Sequence, residues 1–201
     1  MPKRVDHSAR RRQILDAVAR ITARGGLSAA TFREVAAESG VSVRLVQYYF
    51  GTKAELLHAA NADVAQQVSA RVLERVHQVG GDAHPRVLVR AVFEEFMPLD
   101  ETRRQALLLF FAFYTAQMTE VALARSEASA VPRDLAAFIA NQIRRAQELG
   151  ASSRDVDPDL EGALLVGAMP NIASSIVVGY LSRDEANTIL DYTLDRLLGA
   201  G

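Results

Sequence analysis

Four side chains with complementary chemistry are spaced to share one face of a short helix. They are Val43, Arg44, Gln47 and Tyr48, at helical positions i, i+1, i+4 and i+5. A guanidinium pairs with O6 and N7 of guanine, a carboxamide pairs with N6 and N7 of adenine, and an apolar or aromatic edge meets the thymine methyl. A surface that serves only solubility has no need of this mixture. The pattern therefore indicates contact with base edges in the major groove of DNA.

The neighbouring residues predict two short helices, joined by a tight turn, that hold this face outward. Thr31 and Glu34 have the spacing of a capping box, so the first helix should begin at Thr31. Gly40 suits the left-handed position that ends a helix, and Ser42 suits the N-cap of the next. The inward side of the second helix is predicted to consist of Val46, Tyr49 and Phe50.

Two further helices are predicted to flank this pair. Residues 8–24 carry an apolar stripe at helical spacing, and Gly25-Gly26 should end that helix. Thr52 and Glu55 repeat the capping-box spacing, and residues 54–79 keep an apolar residue at every fourth position. The second flanking helix is long enough to connect the N-terminal part to the rest of the chain.

The block from Thr31 to Leu57 resembles the DNA-binding domain of the tetracycline-repressor (TetR) family of bacterial transcription regulators. The matching segments are Thr31-Phe32-Arg33-Glu34-Val35-Ala36, Gly40-Val41-Ser42, Gln47-Tyr48-Tyr49-Phe50 and Lys53-Ala54-Glu55-Leu56. The sequence departs from the family at Gln47, where an aromatic residue is usual, and at Arg44, where a small residue is usual. Both departures add hydrogen-bonding groups to the groove-facing side, so the operator of a relative cannot be assumed.

The resemblance implies a set of DNA contacts. Base contacts are expected from Arg33, Val43, Arg44, Gln47 and Tyr48, and phosphate contacts from Thr31, Ser42, Tyr49 and Lys53. The charge distribution agrees, because residues 1–53 carry ten basic and four acidic side chains, a net charge of +6, whereas the remainder carries −7. A basic head ahead of an acidic body suits a protein that neutralises phosphates. The alternative reading of the basic residues is a solvated face.

The rest of the chain predicts only helices. They are residues 54–79, 85–97, a segment capped by Asp100, 133–149, 157–180 with an interruption at Pro170, and 182–198. The predicted fold class is all-α, with an N-terminal three-helix helix-turn-helix DNA-binding domain and a C-terminal helical ligand-binding and dimerisation domain. We place the first domain at residues 8–68 and the second at 69–201.

Aromatic and methionine side chains in the C-terminal part are candidates for an effector pocket, because they adapt around apolar ligands. The candidates, with interspersed amides, are Phe93, Met97, Phe110, Tyr114, Gln117, Met118, Phe138, Gln142, Met169 and Asn171. Pro170 removes one helical hydrogen bond beside them. The same residues at helical spacing also suit an ordinary core, and this alternative stays open. The family resemblance implies that a small effector bound between these helices shifts two DNA-binding heads apart.

Apolar and small residues near the C-terminus predict a dimer interface. The candidates are Leu164, Ala168, Ile172, Ile176, Ile189, Leu194 and Leu197. A twofold four-helix interface, as the family forms, would bury them. Dimerisation would also allow two short helices to read a palindrome, whereas one helix contacts few bases.

Enzymatic and metal-binding functions find no support in the sequence. Asp155, Asp157, Asp159 and Glu161 alternate like the start of a calcium loop, but Leu160 stands where the turn needs glycine. The four histidines have neither ligand spacing nor a catalytic partner pattern, so we expect no catalytic residue, no metal and no cofactor. The absence of cysteine and of an N-terminal apolar segment favours the cytoplasm and no membrane association.

These observations lead to one main hypothesis and two alternatives. The main hypothesis is a homodimeric regulator, most simply a repressor, that binds a palindromic operator in double-stranded DNA and is released by a small, largely apolar effector. The first alternative is an activator or an effector-independent regulator of the same fold. The second is a helical ligand-binding protein that does not bind DNA, which leaves the outward face of residues 43–48 unexplained.

Overall fold

The computed structural model describes residues 7–119 and 130–199, which contain nine α-helices and no strand. The prediction of an all-α fold is confirmed. The helices are α1 (His7–Ala29), α2 (Phe32–Ser39), α3 (Val43–Phe50), α4 (Lys53–Val79), α5 (Pro85–Phe96), α6 (Glu101–Thr119), α7 (Ala130–Glu148), α8 (Pro158–Val177) and α9 (Arg183–Leu198).

The chain divides into two units, and the long helices α4 and α6 each contribute to both. Among the described residues, the first unit comprises residues 7–66 and 108–119, and the second comprises residues 67–107 and 130–199. The division within α4 falls close to the domain boundary predicted at residue 68. The sequence did not indicate that residues 108–119 group with the N-terminal helices.

The first unit is built on one buried apolar cluster. Ile14 and Val18 of α1, Val35 of α2 and Val46 of α3 are fully buried in it. Leu56 at the start of α4 joins the same cluster. The C-terminal half of α6 adds the last side chains, Leu109, Phe113 and Ala116. The core thus fixes the helix-turn-helix pair from behind, and α6 is part of what fixes it.

The second unit packs α5, α7, α8 and α9 around a separate set of buried side chains. Its largest fully buried members are Leu88, Phe93, Ile139, Ile143, Leu194, Leu197 and Leu198. Helices α7 and α8 approach closely at Gly162, where an added Cβ atom would lie 2.6 Å from the Ala136 carbonyl oxygen. Arg86 of α5 ties α9 to this core through Asp191, at 2.8 Å, and Asp195, at 2.6 Å.

One expectation about helix continuity needs correction. Pro170 does not interrupt its helix, because α8 runs from Pro158 to Val177 with Pro170 inside it. Proline removes a single backbone donor, and the packed helix tolerates this loss. The predicted end of the first helix at Gly25-Gly26 is confirmed, because the backbone leaves helical geometry at Gly26, with φ 72° and ψ 179°, and a second helical segment follows as far as Ala29.

Candidate nucleic-acid interface

The ends of α2 and the start of α3 are formed by the capping residues that the sequence predicted. Thr31 Oγ1 accepts a hydrogen bond from the Glu34 backbone N–H at 3.2 Å. Gly40 adopts φ 65° and ψ 32°, which lets the backbone N–H groups that follow α2 bond back to its last carbonyls. Ser42 Oγ then accepts from the Leu45 N–H at 3.2 Å and starts α3. The two helices are therefore oriented by local backbone chemistry.

One side of α3 is packed against the first unit's core. Val46 is fully buried, Phe50 is nearly so, and Tyr49 is half-buried. The Arg11 guanidinium lies over the Phe50 ring, 5.4 Å from its centroid. The predicted inward side of α3 is confirmed, and it fixes the rotation of the helix about its own axis.

The opposite side of α3 is exposed, as the spacing of its residues predicts. Val43, Arg44, Gln47 and Tyr48 all lie on it, and Tyr48 is 75% exposed. Among the residues that the structure describes, the exposed side chain of Arg44 has no ion pair and no hydrogen bond, so its guanidinium is available to an outside acceptor. This face carries donors, an acceptor and an aromatic ring on a helix short enough to enter a major groove.

Two of the residues assigned to phosphates have contacts with α1. Lys53 Nζ donates to the Ser28 carbonyl oxygen at 3.2 Å, which holds the start of α4 against the end of α1. The Tyr49 hydroxyl lies 2.8 Å from His7 Nδ1. Sequence reasoning missed His7, because no local pattern relates residue 7 to residue 49.

A charged contact fastens α2 to α1 behind the interface. The Glu38 carboxylate accepts from Arg20 Nε and from Arg24 Nη2, each at 2.7 Å. These hydrogen bonds lower the pKa of Glu38 below its ordinary value of 4.5. Arg20 and Arg24 were counted with the basic head, but they serve the packing of the helix-turn-helix pair.

The start of α4 is fixed by a complete capping box. Glu55 Oε2 accepts from both the backbone N–H and the hydroxyl of Thr52 at 2.8 Å, and Thr52 Oγ1 accepts from the Glu55 N–H at 3.2 Å. These bonds lower the pKa of Glu55. They place Lys53 in the first turn of α4, beside the C-terminal end of α3.

Comparison with known proteins agrees with this geometry. Residues 14–60 match the model of bacterial regulatory proteins of the tetR family, and residues 85–199 match the C-terminal model of BetI-type transcriptional repressors. The chain belongs to the TetR family. It is therefore a DNA-binding transcriptional regulator with a ligand-binding domain, and its family consists of regulators rather than enzymes.

Individual relatives support the assignment over different lengths. The regulator BetI of Escherichia coli O127:H6 is 32% identical over 158 residues, which is 75% of this chain and 79% of BetI. The regulator PksA of Bacillus subtilis is 33% identical over 113 residues, or 56% of this chain and 54% of PksA. A transcriptional regulator from Saccharomonospora viridis, solved in complex with choline, superposes with a TM-score of 0.76 at 22% identity and covers 94% of this chain and 95% of its own.

The residues predicted to line an effector pocket are divided between the two units of this TetR-family regulator. Phe110, Tyr114, Gln117 and Met118 belong to the first unit, and the other six belong to the second. The rings of Phe110 and Tyr114 stack at 5.9 Å, and both side chains are exposed. In the second unit, Phe93, Met97, Gln142 and Met169 are buried, Phe138 is half-buried and Asn171 is exposed.

The predicted dimer interface needs one correction. Leu194 and Leu197 are 0% exposed, because α9 turns them into the core of its own unit, so they cannot meet a second copy. Leu164 is 65% exposed, Ile189 is also exposed, and Ala168, Ile172 and Ile176 are half-buried. Leu160 and Tyr192 are exposed apolar residues of α8 and α9 that the sequence reasoning did not assign.

Helix α8 has a further property that follows from this exposed surface. Within the part of the chain that the structure describes, it is the one helix long and apolar enough to cross a membrane by length and composition, with a mean hydropathy of 1.4. Only 22% of that window is buried. Most of its apolar surface is therefore exposed in a single copy of the chain and would be stabilised by contact with another molecule.

The calcium-like run of acidic residues is explained by the start of α8. Asp157 Oδ1 accepts from the N–H groups of Asp159 and Leu160 at 3.0 and 3.1 Å, which makes it the N-cap. Asp159 pairs with Arg144, and Glu161 pairs with Arg196. These carboxylates are engaged in capping and in ion pairs between helices.

Proposed function

We propose that this TetR-family regulator is a repressor that binds a palindromic operator as a homodimer and is released by a small, largely apolar effector. The observation that carries the proposal is the outward face of α3, where Arg44 and Gln47 stand on a helix whose other side is locked into a core. The match of residues 85–199 to BetI-type repressors supports repression as the mode of regulation.

The DNA contacts follow from which groups remain available. Arg33, Arg44, Gln47 and Tyr48 are assigned to base edges, with Val43 near a thymine methyl. Thr31 and Ser42 use their hydroxyl oxygens as acceptors in the helix caps, so each O–H remains free to donate to a phosphate. Lys53 has two further ammonium donors besides the one that meets Ser28.

Selection of bound fragments from the source genome tests the DNA-binding proposal. We expect enrichment of a palindromic sequence with two half-sites, and binding that weakens steeply as salt rises. A protein that retains no salt-dependent duplex binding would instead be the helical ligand-binding protein of the second alternative.

A homodimer formed through α8 and α9 supports this mode of binding. The exposed Leu160 and Leu164 of α8 and Ile189 and Tyr192 of α9 form an apolar surface that a second copy would cover. Sedimentation without detergent tests this directly, and we expect twice the mass of the 21.9 kDa chain. Leu164→Glu should shift the protein toward monomer, whereas Leu149→Glu, at an exposed leucine on α7's C-terminal side, should not.

The same measurement shows whether the apolar surface of α8 is covered by a second copy or by lipid. A detergent-free dimer accounts for its exposed surface and supports a soluble protein in the cytoplasm. Protein that partitions into lipid vesicles, and that yields single copies only in detergent, would overturn both the dimer and the proposed location.

The effector proposal rests on the stacked and exposed rings of Phe110 and Tyr114. Aromatic faces bind apolar molecules and also quaternary ammonium groups. A panel of probes should therefore include aliphatic and aromatic compounds together with choline, which the similar regulator from Saccharomonospora viridis holds. An effector should raise the melting temperature and lower operator affinity.

An effector-independent regulator or an activator is the second candidate. Burial of Phe93, Met97 and Met169 in the second unit favours it, because side chains already packed in a core need no ligand. Thermal melts with the panel separate the two, since a ligand at a hundred times its Kd adds roughly 2.7 kcal/mol of stability. A panel without any stabilising compound would favour this candidate.

A further inference from the structure

An open cavity of about 520 Å³ lies in the second unit, lined by residues of α4, α5 and the start of α6. Three arginines and three glutamates line it together with the apolar side chains of Ala70 and Leu99. None of the residues assigned above to the aromatic effector pocket lines it. The cavity therefore has a chemistry of its own.

The buried carboxylate of Glu95 organises this cavity. Glu95 is 6% exposed, and a carboxylate that deep is unfavourable unless it is paired and hydrogen-bonded. Arg103 Nη2 donates to its Oε1 at 2.7 Å, and Arg71 Nε donates to its Oε2 at 3.3 Å. Arg103 is held again by Asp100. Glu95 thus positions the guanidiniums of Arg71 of α4 and Arg103 of α6 on the same side of the cavity.

Arg71 is left with an unused donor. Its Nη2 atom is buried, and among the described residues no acceptor lies within hydrogen-bonding distance of it. The side chain as a whole is 29% exposed and lines the cavity. A buried donor without an acceptor incurs its full desolvation penalty. An acceptor offered from the cavity, with a small rotation of the guanidinium, removes that penalty.

The other lining residues indicate which kind of anion would bind to Arg71. A guanidinium matches the planar oxygen pair of a carboxylate. Glu74 lies one turn from Arg71 on α4, and its described partner is the neutral Gln78 amide at 2.9 Å, so its charge is not neutralised by a cation. This charge disfavours a dianion such as phosphate. Ala70 and Leu99 offer apolar surface to the body of a ligand.

We propose that this cavity binds a small monocarboxylate, with its carboxylate on Arg71 and its apolar body against Leu99. The proposal goes beyond the function proposed above, because it requires neither the operator nor the aromatic residues of α6. Its test is direct binding in the absence of DNA, so it can fail while the repressor proposal stands.

Isothermal titration of the full chain with pentanoate provides the test. We expect saturable binding, at least tenfold weaker with pentanamide or inorganic phosphate. Arg71→Gln should weaken pentanoate binding by about ten- to a hundredfold, the range expected for one charge-assisted hydrogen bond. Arg104→Gln, at a half-buried arginine of the same helix as Arg103, removes the same charge outside the cavity and should change affinity less than about twofold.

Two further variants keep the test decisive. If Arg71→Gln does not fold, as circular dichroism would show, Arg71→Lys keeps the positive charge but loses the planar pair of donors, and binding should weaken by about fivefold or more. Glu74→Gln should strengthen phosphate binding. Absence of saturable pentanoate binding, or equal affinity in the folded Arg71 variant, would overturn the proposal.

Discussion

The hydroxyl oxygen of Tyr49 lies 2.8 Å from Nδ1 of His7, so the first residue of α1 is hydrogen-bonded to α3. The two rings are tilted at 6.1 Å, and the Tyr49 ring meets the edge of the Tyr48 ring at 5.6 Å. Tyr48 is the aromatic side chain of the outward face of α3, and it is 75% exposed. The position of an outward-facing ring thus depends on a contact with a residue 42 positions away.

Loss of the His7 contact should weaken operator binding modestly. His7→Ala removes one exposed hydrogen bond, worth roughly 0.5–1.5 kcal/mol at most, so we expect a two- to tenfold higher Kd by fluorescence anisotropy. Tyr49→Phe should have at least this effect, because the Tyr49 hydroxyl is also assigned to a phosphate. Because both changes break the same bond, the double variant should be little worse than Tyr49→Phe alone. Fully additive losses would show that the two residues act independently, and His77→Ala on α4 serves as the control.

Arg44 should determine the preference at one base pair. If its guanidinium pairs with guanine O6 and N7, Arg44→Ala should cost roughly 1–3 kcal/mol and relax the preference at that position alone. Binding titrations against operators changed at one position at a time measure this. Equal weakening on every operator would mean that Arg44 contacts only phosphate.

Lys53 provides the matched contrast to Arg44. Lys53→Ala should weaken binding to all operators equally and make the slope of log K against log salt shallower by about 1, because one phosphate contact is lost. The contact with Ser28 gives the variant a small stability cost, which a melt records separately. An unchanged salt slope would contradict the assignment to phosphate.

The local signals of the sequence located the helix-turn-helix and its outward face. Thr31 and Ser42 cap helices as predicted, because capping involves residues within three positions of each other. The outward placement of Arg44 and Gln47 followed from helical spacing in the same way. These signals are short-range, and a single sequence contains them in full.

Long-range packing could not be read from the same signals. Phe113 has helical spacing with other aromatic residues of α6, yet it is buried in the core of the first unit. Leu194 and Leu197 have the same residue type as exposed Leu164, and only the rotation of α9 in its unit distinguishes them. The same holds for Glu95, whose burial depends on arginines of α4 and α6.

Glu38 should make the first unit less stable in acid. The hydrogen bonds from Arg20 and Arg24 lower its pKa in the folded state below the ordinary 4.5. The stabilisation is therefore complete above that ordinary value and is lost as the pH falls through the lowered folded-state pKa. Glu38→Gln should cost about 0.5–1 kcal/mol at pH 7 and less in acid.

Urea unfolding at pH 7 and at pH 3.5 measures this difference. Glu148→Gln is the control, because Glu148 is exposed and has no described ion pair. A Glu38→Gln penalty that stays the same at both pH values would mean that the charge of Glu38 does not stabilise the fold, and that the cost comes from the exchange of the side chain itself.

Gly162 should be intolerant of even one methyl group, because α7 and α8 meet there backbone to backbone. A Cβ atom at this position would lie 2.6 Å from the Ala136 carbonyl oxygen and 3.3 Å from the Ala140 nitrogen. Both atoms belong to the α7 backbone, which cannot move aside as a side chain can. We expect Gly162→Ala to lower the free energy of unfolding by roughly 1–3 kcal/mol, the usual cost of overpacking.

Gly167→Ala isolates the steric part of this effect. Gly167 lies in the same helix, and no atom lies within 4 Å of its added Cβ. Alanine favours a helix over glycine by about 1 kcal/mol, so this variant should be more stable than the parent protein. Urea unfolding of both variants gives the comparison. If Gly162→Ala were stabilised as much as Gly167→Ala, the helices would have room to separate and the close approach would not be what orders the second unit.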